Sequence, residues 1–183
     1  MMNLQHATRI SRLLSLVLRH QPETIGITLA EDGWTNVDEL IAAINRHGQA
    51  LDFETLEEIV ETNDKKRFAF SEDREMIRAN QGHSVEVNLG YPPTPPPEIL
   101  YHGTVAKFLP DIRENGIHKG QRHHVHLSAL LEVANTVCKR RGQSVILTVL
   151  AIDMHAAGHI FNLSANGVWL TDLVPPQFIN FPK

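Results

Sequence analysis

The sequence predicts an α+β protein in two parts: a helical first half closed by a β-hairpin, and a second half built on a mixed, bent sheet of short strands. Three observations carry this expectation. Apolar residues recur at helical spacing in three successive stretches before residue 62, a proline-rich break occupies residues 91–97, and strand and helix patterns alternate after it. With 183 residues, 42% hydrophobic and 21% charged, the chain has the composition of a globular protein and enough length for two small cores. No apolar run approaches the roughly 18 residues of a spanning helix, and the first six residues lack the basic start and apolar stretch of a signal peptide. The single Cys138 cannot close an internal disulfide, so the expected compartment is the cytoplasm.

The first helix is marked by Ile10, Leu13, Leu14, Val17 and Leu18, which fall on one stripe while Arg12, Ser15 and Arg19 fall elsewhere. Pro22 stops it, which leaves Arg19 and His20 at its C-terminal end, where the macrodipole favours cations. Capping by basic residues is the ordinary reading of that pair. A second helix is expected from Thr35, with Asp38 three residues on, through Val37, Leu40, Ile41 and Ile44 to Gly48. A third starts at Asp52 and is expected to bury Phe53, Leu56, Ile59 and Val60. Residues 65–70 and 76–79 flank the turn-rich 71–74 and read as a hairpin, with Phe68 and Phe70 on one face and Arg67 and Ala69 on the other. Three helices followed by a hairpin is the order of a winged-helix module.

Residues 91–97 hold five of the ten prolines and should form a stiff, extended linker between a domain at 1–90 and one at 98–183. Beyond it the pattern gives a strand at 99–101, a helix at 105–115 stopped by Gly116, a strand at 125–127, a helix at 130–141 stopped by Gly142, and a long strand at 145–152. Shorter strands are expected around 159–163 and 167–170. No two of the eleven glycines stand in a G-x-G spacing, which excludes the dinucleotide and Walker phosphate loops.

Charge is divided unevenly: residues 1–90 carry a net −6 and residues 91–183 a net +2. A chain of net charge −4 lacks the field of a general duplex-DNA binder, so any nucleic-acid contact should be small and locally basic. Two stretches have that character, Leu100-Tyr101-His102-Gly103-Thr104 and Arg122-His123-His124-Val125-His126-Leu127-Ser128. Each reads as a strand ending in a small or hydroxylic residue where a helix begins, and the free N–H groups of a helix start favour an anion such as phosphate. A half-solvated strand accounts for any one of these histidines, but not for three beside an arginine. The chain shows no nucleophile elbow, no Cys–His dyad and no paired carboxylates beside the His-rich strand. Zinc on His102, His124 and His126 is disfavoured, because structural zinc usually takes several Cys and H-x-H alone is a weak signature. An excess of Arg and His suits a phosphate, which guanidinium binds with two prongs.

Six ordered blocks then resemble the successive signatures of the RNA 2′-phosphotransferase family. They are Leu14-Ser15-Leu16-Val17-Leu18-Arg19-His20, Asp64-Lys65-Lys66-Arg67-Phe68, Ile77-Arg78-Ala79-Asn80-Gln81-Gly82-His83-Ser84, the two stretches just named, and Asn166-Gly167-Val168-Trp169-Leu170-Thr171. The resemblance implies a winged-helix N-terminal lobe and an ADP-ribosyltransferase-like C-terminal lobe. It implies NAD as a consumed co-substrate: an internal RNA 2′-phosphate attacks the nicotinamide ribose and expels nicotinamide. The neighbouring hydroxyl then attacks phosphorus, giving RNA with a 2′-OH and ADP-ribose 1″,2″-cyclic phosphate. Carried over position by position, Arg19, His20, Arg67 and Arg122 match the catalytic set, and His102, Gly103, Thr104, His126 and Ser128 the NAD-holding strands. Lys66, Arg78, Gln81 and His83 fall to RNA contact, no metal is expected, the expected partners are NAD and 2′-phosphorylated RNA, and the expected state is a monomer. One position departs from the pattern, Ala165 standing where the family tends to carry Glu. The alternatives are an ADP-ribosyltransferase for nucleic-acid terminal phosphates or protein, and a non-catalytic RNA- or NAD-binding module.

Overall fold

A computed structural model describes residues 4–138 and 144–182. The chain divides into two compact units, Met1–Gly90 and Tyr91–Lys183, each with its own apolar core.

The first unit opens with α1 (Leu4–Val17), whose buried stripe of Ile10, Leu14 and Val17 is the one the spacing predicts. Helical hydrogen bonding runs past the last full turn, from the Leu18 and His20 amides to the Leu14 and Leu16 carbonyls, both at 2.9 Å. A 3-10 turn, Pro22–Ile25, follows and ends on Gly26 at φ 72°. Strand β1 (Thr35–Asn36) leads directly into α2 (Val37–Arg46). The cap of α2 is Asn36 rather than Thr35: its side-chain oxygen accepts from the Glu39 amide at 3.0 Å. Thr35 is instead buried in a strand pair, opposite Ile77, a long-range contact that local spacing cannot reveal. In α3 (Phe53–Glu61) Asp52 does cap, accepting from Thr55 at 2.8 Å, and these bonds hold its carboxyl below the usual range. Phe53 is 37% exposed rather than buried, and leans on the Phe70 ring at 5.9 Å between centroids. The hairpin is β2 (Phe68–Phe70) and β3 (Met76–Ala79), and β1 joins it to make an antiparallel sheet of order β1-β3-β2. Its turn is tied back to α3 by Arg74, which pairs with Glu57 and, at 3.6 Å, with Glu61.

The second unit begins with the proline-rich segment, which is not slack. The Thr94 amide donates to the Phe161 carbonyl at 2.8 Å, Pro93 bridges to Asn162, and Pro96 is buried. Strand β4 (Leu100–Val105) is longer than expected and takes in His102, Gly103 and Thr104. A 3-10 turn, Ala106–Phe108, separates it from α4 (Leu109–Asn115), so the helix expected from residue 105 starts at Leu109. Then come β5 (Ile117–His118), β6 (Val125–Leu127), α5 (Leu131–Cys138) and β7 (Ser144–Val149). The expected helix end at Arg141 and Gly142 lies outside the described residues. The strand expected over 145–152 stops at Val149, and Ala151 and Ile152 belong to α6 (Ala151–Ala156). Strands β8 (Asn162–Leu163), β9 (Trp169–Thr171), β10 (Leu173–Val174) and β11 (Ile179–Asn180) complete the unit.

The expectation of one mixed sheet is corrected here. Among the described residues every registered pair is antiparallel, in small sheets ordered β11-β7-β4, β6-β9-β8 and β10-β5. Among those residues no helix returns the chain to a parallel neighbour in the same sheet, which is what a parallel ladder requires. A reciprocal bridge between Tyr101 and Ser128, at 2.8 and 2.9 Å, couples the β4 and β6 sheets. Leu100, Leu147, Val149, Met154 and Phe161 fill the core beneath them. Each such side chain contributes about 1.5–3 kcal/mol by leaving water.

Candidate functional site

In the first unit α1 ends on the pair that the sequence singles out. Half-buried Arg19 and exposed His20 follow the last turn, and the Arg19 carbonyl accepts from the Ser84 and Val85 amides at 2.9 and 3.3 Å. The segment after β3 is thereby clasped to the helix end. His20 Nδ1 lies 2.9 Å from the Ser84 hydroxyl, which fixes the ring's direction. Ser84 is a residue that spacing alone does not mark, although it closes one of the quoted blocks.

Arg67 is set by the turn before β2. The Asn63 side-chain oxygen accepts from the Arg67 amide at 3.1 Å, and the Arg67 carbonyl accepts from the Asn80 amide at 2.8 Å. Lys66 has φ 43°, in the left-handed region, and is exposed. Arg78 stacks over the Trp34 ring at 4.6 Å and donates to the Asp32 and Leu89 carbonyls at 3.3 and 3.5 Å. Gln81 is half-buried. His83 is only 2% exposed and packs beside Gly33.

In the second unit β4 and β6 bring together Arg122, His102 and His126. His102 Nδ1–H donates to the His126 carbonyl at 3.1 Å, which leaves its Nε2 lone pair as an acceptor. Burial lowers the His102 pKa; the bond to His126 opposes this, and the positive Arg122 adds to the lowering. The ring is therefore neutral at neutral pH. Arg122, exposed in the turn before β6, places Nη1 2.9 Å from His126 Nδ1. Gly103 and Thr104 sit opposite Ile146 and Val145 in mid-ladder, not at a helix start, because six residues of pairing with β7 outweigh the glycine. The Ser128 hydroxyl bonds the Leu130 backbone, accepting from its amide at 3.1 Å just before α5. His124 is depressed by burial, with Asp172 opposing and His123 and Lys119 adding to the depression. Among the described residues no group of three or more His, Cys, Asp or Glu is arranged to hold a metal ion.

The Asn166-Gly167 block is a hairpin turn between β8 and β9, with Gly167 at φ 78° and the Ser164 hydroxyl accepting from the Val168 amide at 3.0 Å. Trp169 buries itself in the core, and Ala165 is exposed on the turn.

This arrangement offers planar cations for an anion and, separately, a neutral acceptor beside an arginine donor. Comparison with known proteins points the same way. The model of the RNA 2′-phosphotransferase, Tpt1/KptA family matches residues 5–173. A probable RNA 2′-phosphotransferase of Pseudomonas aeruginosa PAO1 is 55% identical over 170 residues, 92% of this chain and 93% of that protein. One from Flavobacterium johnsoniae is 53% identical over 180 residues, 98% of this chain and 99% of the relative. One from Streptomyces coelicolor is 49% identical over 181 residues, 99% and 98% of the two chains.

Proposed function

The chain belongs to the RNA 2′-phosphotransferase family, and from that premise we propose that it transfers an internal RNA 2′-phosphate to NAD, releasing nicotinamide, ADP-ribose 1″,2″-cyclic phosphate and RNA with a 2′-OH. In this reading Met1–Gly90 is the winged-helix lobe and Tyr91–Lys183 the ADP-ribosyltransferase-like lobe. The observation that carries it is the convergence of His102 and Arg122 on one residue, His126: a neutral ring whose Nε2 can accept from a ribose hydroxyl, and a guanidinium suited to phosphate. That donor and acceptor set fits a dinucleotide ribose, and His102, Thr104 and Ser128 are the residues we assign to holding it.

Arg19, His20 and Arg67 bind the RNA 2′-phosphate in this scheme. A dianionic phosphate is already a nucleophile, so the first step chiefly needs it held in line, and orientation of this kind supplies much of a rate. NAD supplies the electrophile, an anomeric carbon whose bond to nicotinamide breaks as a phosphate oxygen bonds to it. In the second step the adjacent ribose hydroxyl adds to phosphorus, its proton is lost, and the RNA 2′-oxygen departs and is protonated. Charge then gathers on the non-bridging oxygens, where Arg122 acts as a preorganised donor. Arginine charge of this kind makes a divalent ion unnecessary, and turnover should survive a chelator.

The test is one incubation with NAD and a short RNA carrying an internal 2′-phosphate, with both products analysed. Dephosphorylated RNA together with the cyclic phosphate supports the reading. Nicotinamide release that leaves ADP-ribose on the RNA favours the terminal-phosphate or protein transferase, and no consumption of NAD favours a binding module.

A further inference from the structure

We propose that His126 is a positioning residue for Arg122, acting through Nδ1, and not a contact to the dinucleotide through Nε2. The inference deepens the phosphotransferase reading and rests on it.

Arg122 Nη1 and His126 Nδ1 are 2.9 Å apart. A guanidinium carries five N–H donors and no acceptor, so the ring nitrogen must accept. That fixes His126 as a neutral imidazole with its proton on Nε2, since an imidazolium has no lone pair to offer. The acceptor is also mounted on paired backbone. His126 stands opposite Leu170 in the β6–β9 ladder, and its carbonyl takes the His102 Nδ1–H at 3.1 Å. Two residues on, Ser128 is bridged in both directions to Tyr101. Arg122, by contrast, lies in an exposed turn, where its amide donates to the Lys119 carbonyl at 3.2 Å. A long side chain in such a turn samples many rotamers. The strand-mounted imidazole therefore gives the guanidinium one direction before any substrate arrives. His102 is held through the same residue, by its main chain, so one residue of β6 sets the hydrogen-bonding sense of both partners.

Two amide substitutions separate the ring nitrogens. In His126→Asn the side-chain oxygen can stand where Nδ1 stands, whereas in His126→Gln the amide reaches the place of Nε2. Both are assayed with NAD and 2′-phosphorylated RNA. We expect His126→Gln to lose about a hundredfold in kcat with little change in KM for NAD, the scale set by small misplacement of a catalytic group. His126→Asn should recover to within about tenfold of wild type, and in an Arg122→Ala background His126→Gln should cost less than about twofold more. A glutamine variant more active than the asparagine one, equal losses in both, or a loss confined to KM overturns the proposal. Ring ¹⁵N shifts of the substrate-free protein give a readout independent of turnover: a protonated Nε2 and an accepting Nδ1 agree with it, and an Nδ1–H tautomer overturns it. If the wild-type chain does not consume the 2′-phosphate, the phosphotransferase reading fails while the ring spectrum still decides the hydrogen bond.

Discussion

The side-chain amide of Asn80 donates to the Lys66 carbonyl at 2.6 Å, while the Asn80 main-chain amide donates to the Arg67 carbonyl at 2.8 Å. One buried asparagine thus holds both residues of a turn in which Lys66 has φ 43°. Asn80→Ala should cost about 1 kcal/mol, because the half-buried bond to the Lys66 carbonyl is lost. It should also lower turnover by displacing Arg67. Urea denaturation and steady-state kinetics on the same variant check both, and unaltered stability would show that the turn holds itself.

Arg19→Lys should be nearly as damaging to turnover as Arg19→Ala. The role proposed for Arg19 is a planar, two-pronged grip on phosphate, which a point charge on a flexible stem does not reproduce. Restoration of near wild-type kcat by lysine would reduce Arg19 to a cation at a helix end.

Arg122→Ala should lose about 3–4 kcal/mol of transition-state stabilisation, roughly a hundred- to thousand-fold, mostly from the second step. Phosphate charge falls as its oxygen bonds to carbon in the first step and builds in the second. Single-turnover reactions should therefore accumulate RNA joined to ADP-ribose through the phosphate. Equal slowing of nicotinamide release and dephosphorylation, without that adduct, would place Arg122 in binding or the first step.

Acid should weaken the fold through His102. Its folded pKa is lowered, chiefly by burial, so between that value and the ordinary value of about 6.5 the unfolded chain binds more protons than the folded one. Stability from this group is fully present above about pH 6.5 and is lost as pH falls through the folded value. His124 is shifted in the same direction and adds to the trend. The urea midpoint should drop between about pH 7.5 and pH 5, and drop less in His102→Asn. Equal slopes in the two proteins would remove His102 from the account.

Gly116→Ala should cost roughly 3 kcal/mol. Gly116 ends α4 at φ 82°, ψ −169°, a region open essentially to glycine, and a Cβ there would overlap the Val174 carbonyl oxygen. Thermal unfolding of the variant measures it, and a melting point within a degree of wild type would contradict the close approach.

Helices with a clear apolar stripe were legible in the residues alone: α1 buries Ile10, Leu14 and Val17 as their spacing requires, and α3 starts on the Asp52 cap and buries Leu56, Ile59 and Val60. What long-range pairing decides was not. Thr35 and Asn36 are both good caps, and only the strand partner Ile77 removes Thr35 from the choice. Residues 145–152 look like one strand because an apolar run has no period of its own, so the break at Leu150 before α6 leaves no mark. Gly103 beside Thr104 reads as the close of a strand, yet the ladder with β7 carries through it. Residue types and blocks in the sequence pointed to Arg19, His20, Arg67 and Arg122. Their supports, Ser84, Asn63 and Asn80, are ordinary polar residues whose meaning lies in which backbone atoms they reach.

The anchoring of the proline-rich segment bears on how the chain can be dissected. Its composition invites a cut after residue 97, but Thr94, Pro93 and the Asn162 side chain, which donates to the Tyr91 carbonyl at 2.9 Å, stitch it to the strand that follows Phe161. A gene fragment opening at residue 98 would strip that edge and bare the polar groups of Asn162. One opening at Tyr91 keeps the stitching, and an endoprotease probing the intact chain would find little loose backbone between Tyr91 and Pro96.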